Sequence, residues 1–102
     1  MKFEYQQFDE YVQELKEHGL KHAFLGTQYV KNGEITWSAV VQISAVDKSG
    51  DIHTYTEVET ATIVNQGGFD EFKKTQEKKQ DKLITQLQDA SPGIKILMGR
   101  IA

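Results

Sequence analysis

A row of titratable residues in the middle of the chain has the composition of an acid–base site. Four of them alternate along one predicted strand, and a fifth lies on the matching face of an earlier strand: His53, Tyr55, Glu57, Glu59 and Tyr29. General acid–base catalysis needs such groups in a concave site from which water is excluded. Because we predict that the row lies on the open face of a sheet, we expect a solvated surface. A small-ligand or acid–base site there stays as an alternative.

Five lysines near the C-terminus form a second group that could bind phosphate groups. Three are spaced at i, i+4 and i+8 along one side of a predicted helix, and two flank them: Lys74, Lys78 and Lys82, with Lys73 and Lys79. Such lysines give sequence-independent affinity for nucleic acid. Acidic residues are interleaved with them, which favours a solvated helix with local ion pairs. A protein partner is the remaining interpretation of this row.

Patterns for metal binding and nucleophilic catalysis are weak. His18 and His22 are four residues apart, but Gly19 separates them at a predicted helix end, so they cannot form a helical ligand pair. His53 has no carboxylate at a motif spacing. The chain has no Cys, which excludes thiolate chemistry, and no Gly-x-Ser-x-Gly elbow. We therefore expect no metal, no cofactor and no catalytic residue, and the balance favours a protein that is not an enzyme.

Two helices are predicted to position these groups. The first covers about 4–18, with one apolar stripe and Gly19 at its end, although a short leading strand with Phe3 and Tyr5 is an alternative. The second covers about 69–90 and has no apolar residue over 73–82. A helix that is polar all round over this length extends beyond the sheet or faces a partner.

Three strands between the helices are predicted to form an antiparallel meander. Asn32-Gly33 predicts a two-residue turn that sets Phe24 opposite Val41. The turn at 47–50 then sets Val58 opposite either Val41 or Ala39. Both alternatives put the even-numbered residues of 52–64, four of them Thr, on an inner face that is only partly covered.

These elements predict an α+β fold in the order α-β-β-β-α-β, with a final strand over Ile94–Ile101 and both helices on one face of an antiparallel meander sheet. The order over roughly 5–90 resembles the topology of double-stranded-RNA-binding domains. The resemblance implies phosphate contacts at the start of the second helix, where Lys73, Lys74 and Lys78 are the nearest residues. The Ala-rich second helix of that family has no counterpart in 72–88, and the chain is net acidic.

Length and composition describe an ordinary domain. The 102 residues, with a formal net charge of −3, fit a single α+β domain over 1–102. No signal sequence and no apolar stretch long enough to span a bilayer is present, so we expect a cytoplasmic protein without a membrane partner.

Three elements leave groups that a partner could satisfy. They are the partly covered Thr-rich strand, the polar middle of the second helix and the apolar final strand. They predict a protein-interaction module that binds a protein partner or a second copy of itself as a homodimer. Binding of RNA through the lysine row is the alternative in which nucleic acid is the partner.

Overall fold

A computed structural model describes residues 1–20 and 22–100, with side chains up to residue 98. Two helices and a five-stranded sheet make an α+β fold, in which the elements are β1 Lys2–Tyr5, α1 Phe8–His18, β2 His22–Lys31, β3 Thr36–Val46, β4 Ile52–Thr62, α2 Gln66–Ala90 and β5 Lys95–Arg100. The α+β class is confirmed. The predicted order is wrong because a strand precedes the first helix. Residue 101 of the predicted final strand lies outside the described residues.

The sheet is mixed, with strand order β1-β4-β3-β2-β5. Antiparallel pairing is limited to β2, β3 and β4, while β1 pairs parallel with β4 and β5 pairs parallel with β2. The predicted antiparallel meander therefore describes the centre of the sheet only. The first helix was predicted to begin at about residue 4 because Tyr5 fits its apolar stripe, whereas Tyr5 lies in β1 and pairs with Tyr55.

The topology explains why both helices cover the same face. The connection from β1 through α1 to β2 and the connection from β4 through α2 to β5 both join parallel strands and run in the same direction across the sheet. Crossovers of one handedness then place their helices on one side. The core accordingly contains residues of both helices and one sheet face: Tyr11, Leu15, Leu25, Ile43, Leu83 and Leu87. We call this the covered face and the other the open face.

The first hairpin differs from its predicted register by three residues. Val41 pairs with Thr27, and Phe24 pairs with Ser44. The backbone N–H of Asn32 donates to the backbone carbonyl oxygen of Thr36 at 2.8 Å, and this pairing leaves a three-residue loop. Positive φ occurs at three glycines of the described chain, and Gly33 is not among them, so the expected two-residue turn does not form. An odd slip exchanges the faces of β2, and Leu25 is buried in place of Phe24.

The second hairpin has a register between its two predicted alternatives. Val58 pairs with Val40, and Asp47 pairs with Asp51 around a three-residue loop that ends at Gly50, whose φ is +86°. This slip of one residue exchanges the faces of β4. The Thr-rich side of 52–62 therefore lies on the open face, and the side with His53 and Tyr55 lies on the covered face.

The polar middle of α2 packs against its own sheet, which corrects the expectation that it extends beyond the sheet or faces a partner. Its buried stripe joins Phe72 at one end to Leu83 and Leu87 at the other. Between them, Gln76 is 2% and Gln80 8% exposed. Buried amides need hydrogen-bond partners. The Gln80 side chain donates to Thr27 Oγ1 at 2.6 Å, and the Gln76 side chain donates to the Glu59 carboxylate.

Candidate functional site

The titratable row predicted for the open face lies on the covered face. His53 and Tyr55 are buried, and Glu57, Glu59 and Tyr29 are half-buried beneath the helices. The odd register slips in the two hairpins are the cause, since that of the second turns over the four residues in β4 and that of the first turns over Tyr29. Whether the row binds a ligand or performs acid–base chemistry stays a prediction, but its predicted location is wrong.

Local contacts hold several members of this row in place. The Tyr55 hydroxyl donates to Glu57 Oε2 at 3.3 Å, and burial and the nearby Glu57 raise the pKa of Tyr55. Lys79 Nζ lies 2.7 Å from Glu59 Oε1. Hydrogen bonds from Lys79 and Gln76 lower the pKa of Glu59. The contacts of Lys79 and Gln76 with Glu59 connect α2 to β4 and explain why a charged group lies beneath the helix.

The lysine row is divided by the structure. Lys74, Lys78 and Lys82 are exposed along the solvent side of α2, as their spacing predicts. Lys79 is half-buried and paired with Glu59, and the Lys73 ammonium lies 5.9 Å from the centre of the Phe69 ring. Lys73 is exposed as well, so four of the five lysines remain accessible to a partner.

The open face has no Asp, Glu, Lys or Arg on its three central strands. Its residues there are the even-numbered positions of β2, β3 and β4, and His22 at one corner is the sole titratable group among them. Apolar side chains of these strands and β5 are exposed on it: Phe24 41%, Val30 37%, Val46 59%, Ile52 38%, Val58 59% and Leu97 60%. Ser, Thr and Gln fill most of the space between them.

Four hydroxyl groups of the open face pair with one another across strands. Ser44 Oγ lies 3.3 Å from Thr54 Oγ1, and Ser38 Oγ lies 3.1 Å from Thr60 Oγ1. A polar group that already has a partner is far cheaper to remove from water than one that has none. The open face can therefore be covered by another surface without leaving these hydroxyls unsatisfied.

A second candidate site lies where α1 ends beside the turn between β3 and β4. His53 Nε2 lies 2.9 Å from Asp47 Oδ2, and His18 Nδ1 lies 3.7 Å from the same oxygen. The side chains of His53 and Asp47 are 1% and 6% exposed, while that of His18 is 40% exposed. The hydrogen bond with His53 is the main cause that lowers the pKa of Asp47, and two backbone amides of the turn add to it.

Each of these three side chains is oriented by a further contact. Asp47 Oδ1 accepts from the backbone amides of Ser49 and Asp51 at 2.8 and 3.0 Å. Tyr5 Oη lies 3.0 Å from His53 Nδ1, and Glu14 Oε2 lies 3.3 Å from His18 Nε2. The atoms Asp47 Oδ2, His53 Nε2 and His18 Nδ1 are thereby directed towards one another.

Sequence reasoning missed this cluster because its members are distant along the chain. The search for a ligand pair compared His18 with His22, whereas the fold brings His18 next to Asp47 and His53. Asp47 was interpreted as a turn residue, which it also is. A usable signal was the tight turn predicted at 47–50. Such a turn brings the start of β4 back beside Asp47, and His53 lies there, six residues after Asp47.

Comparison with known proteins assigns no relative: no protein-family model matches the chain, and no curated protein matches it at a significant level. Among the described residues, neither helix has the length and apolar character needed to cross a membrane.

Proposed function

We propose that this protein is an association module that forms a homodimer by stacking the open faces of two sheets. The observation that carries the proposal is the absence of Asp, Glu, Lys and Arg from the three central strands of that face. A monomer normally places charged residues on a solvent-facing sheet, because charge favours hydration and opposes association. Here the exposed apolar side chains and internally paired hydroxyls have the composition of an interface core.

The dimensions of the open face match those of a stable dimer interface. Strands of 4, 10, 11, 11 and 6 residues give a face of roughly 700 Å² at ~3.3 Å per residue and ~4.8 Å per strand. Two such faces bury about 1,400 Å² in total, within the usual range for specific complexes. The radius of gyration, 14.7 Å, also exceeds the about 13 Å typical of this length, which fits a two-layer fold with one side uncovered.

A second copy is the occupant that this surface favours. The three central strands of the face offer no Asp, Glu, Lys or Arg for a partner to complement, and charge is confined to Lys2, Glu4 and Lys95 on the edge strands. The centre of the face therefore selects a partner surface that is itself free of charge. The chain supplies such a surface, and two-fold stacking then opposes no like charges at the centre. The helices, by contrast, carry charges of both signs on their solvent sides and suit exposure to water.

Sedimentation equilibrium of the full chain tests the proposal. We expect a species of twice the 11.6 kDa chain mass that dissociates on dilution. The substitution Val58→Lys places a charge on the middle of the face and should convert the dimer to monomer. Ile35→Lys is the matched control, because Ile35 is 47% exposed but lies in the first hairpin loop, and it should leave the dimer intact.

Three outcomes contradict the proposal. One is a monomer of 11.6 kDa at every concentration up to the millimolar range. Another is a dimer that persists in Val58→Lys, which would place the interface at a sheet edge or on the helices. The third is a monomer that instead binds an unrelated protein through this face, which would make the open face a docking surface for a different occupant.

A further inference from the structure

We infer that His18, Asp47 and His53 form a binding site for a divalent transition-metal ion such as Zn²⁺. The three donor atoms come from the end of α1, the turn after β3 and the start of β4, and all lie within 4.8 Å of one another. Two imidazole nitrogens and one carboxylate oxygen are a donor set that such ions prefer. The site is independent of the proposed dimer, since Asp47 lies in a turn and His53 on the covered face.

The two separations from Asp47 Oδ2 to the histidine nitrogens lie close to those around a tetrahedral ion. A Zn²⁺ ion bound at ~2.0–2.1 Å holds its ligand atoms about 3.3 Å apart. Asp47 Oδ2 lies 2.9 Å from His53 Nε2 and 3.7 Å from His18 Nδ1, so the two distances bracket that value. Small side-chain rotations, above all of His18, the most exposed of the three, would equalise them.

The contacts around the cluster are those that orient metal ligands. In metal sites the second nitrogen of a ligating histidine usually bonds a carboxylate or another oxygen, and this fixes which nitrogen faces the ion. Glu14 does so for His18, and the Tyr5 hydroxyl does so for His53. The backbone of the turn holds Asp47 Oδ1, which leaves Oδ2 directed at both imidazoles.

Burial and access differ across the cluster in a way that suits an ion arriving from solvent. Asp47 and His53 are nearly inaccessible, and Phe3 stacks on the His53 ring with the ring centres 5.2 Å apart. His18 is 40% exposed and forms the solvent side. The three protein ligands leave a fourth position for water or for a ligand, on the side where His18 meets solvent.

Direct metal titration of the full chain tests the site. We expect one Zn²⁺ to bind per chain, measured by calorimetry, with shifts of the His18 and His53 imidazole resonances and not those of His22. Binding to the native state alone should also raise Tm in proportion to the logarithm of free Zn²⁺. The variant His18→Ala removes the exposed ligand with the least risk to the fold and should weaken Zn²⁺ binding by more than ~10-fold.

His22→Ala is the matched control, because His22 is exposed, lies four residues away and is outside the cluster. It should bind Zn²⁺ as the native chain does. Glu14→Gln should weaken binding by ~10-fold through loss of the orienting contact. The inference is overturned if the native chain binds no Zn²⁺ at micromolar concentrations. It is also overturned if His18→Ala binds normally, or if His22→Ala loses binding to the same extent.

Discussion

A sheet covered on one side usually has apolar residues on the covered face and charged residues on the solvent-facing one, and the two faces of this sheet show the opposite arrangement of charge. The covered face contains Glu57 and Glu59, while the central strands of the open face contain no Asp, Glu, Lys or Arg. The charged groups beneath the helices persist because Lys79 and Gln76 pair with Glu59. Charged and polar side chains are therefore buried in this protein where hydrogen-bond partners are available to them. The lack of charge at the centre of the open face supports the proposal that a second copy covers it.

Adjacent residues of β2 should show the difference between the faces most strongly. Leu25 is fully buried on the covered face, while Phe24 is 41% exposed on the open face. We expect Leu25→Ala to lower the free energy of unfolding by about 2–5 kcal/mol. Phe24→Ala should lower it by less than about 1 kcal/mol in the monomer, yet weaken dimerisation. Urea unfolding at low protein concentration measures the first effect, and equal losses for both variants would contradict the assignment of faces.

The polar residues beneath α2 should contribute more to the free energy of unfolding than the polar residues on its solvent side. Gln76→Ala removes a buried donor to Glu59, and we expect it to cost about 1–3 kcal/mol of unfolding free energy. Gln86→Ala, on the exposed side of the same helix, should change it by less than about 0.5 kcal/mol. Comparable small effects for both variants in thermal unfolding would mean that the amide layer does not hold α2 to the sheet.

Acid should weaken the covered face first through Glu59. Lys79 and Gln76 lower the pKa of Glu59 in the folded state. The contribution of Glu59 to the free energy of unfolding is therefore present above its unfolded pKa and is lost as the pH falls through its folded pKa. Stability should therefore decrease below about pH 4.3. Because Glu59 and Lys79 are each 39% exposed, Glu59→Gln should remove about 1 kcal/mol or less of this acid dependence. Urea titrations from pH 3 to 7 measure it, and Glu71→Gln should retain the native profile.

The exposed lysines of α2 should give the smallest effect on the fold. Replacing Lys74, Lys78 and Lys82 together by Glu should change unfolding free energy by about 0.5 kcal/mol or less per site and leave the dimer intact. Titration with duplex RNA at low salt checks the alternative function. Salt-dependent binding that disappears in the triple variant would support nucleic-acid recognition and count against a role limited to self-association.

Apart from β1, the element types could be predicted from this sequence, whereas strand register could not. The stripe of the first helix and Gly19 at its end, with φ of +60°, lead to the observed α1. In β2, however, Ala23, Leu25 and Tyr29 alternate with Phe24 and Val30, so both faces offer comparable apolar area. Only packing against the two helices selects one, and the register of the second hairpin separately decides which side of β4 is buried.

The candidate sites were harder to predict because they depend on that register. The row around Glu59 was recognised as a set and placed on the wrong face. The proposed metal site joins His18 to residues that are 29 and 35 positions further along the chain. Its assembly needs the end of α1 to lie beside the turn after β3, and that proximity does not follow from local spacing.

The measurement that tests self-association most directly is the distance between identical spin labels in the dimer. The chain has no Cys, so Thr56→Cys labels the open face once, and Lys78→Cys labels the solvent side of α2. Stacked sheets lie ~10 Å apart. With sedimentation confirming that both labelled chains are dimeric, we predict a short distance, under about 25 Å, at Thr56 and a clearly longer one at Lys78. A short distance at Lys78 with a long one at Thr56 would contradict dimerisation through the open face.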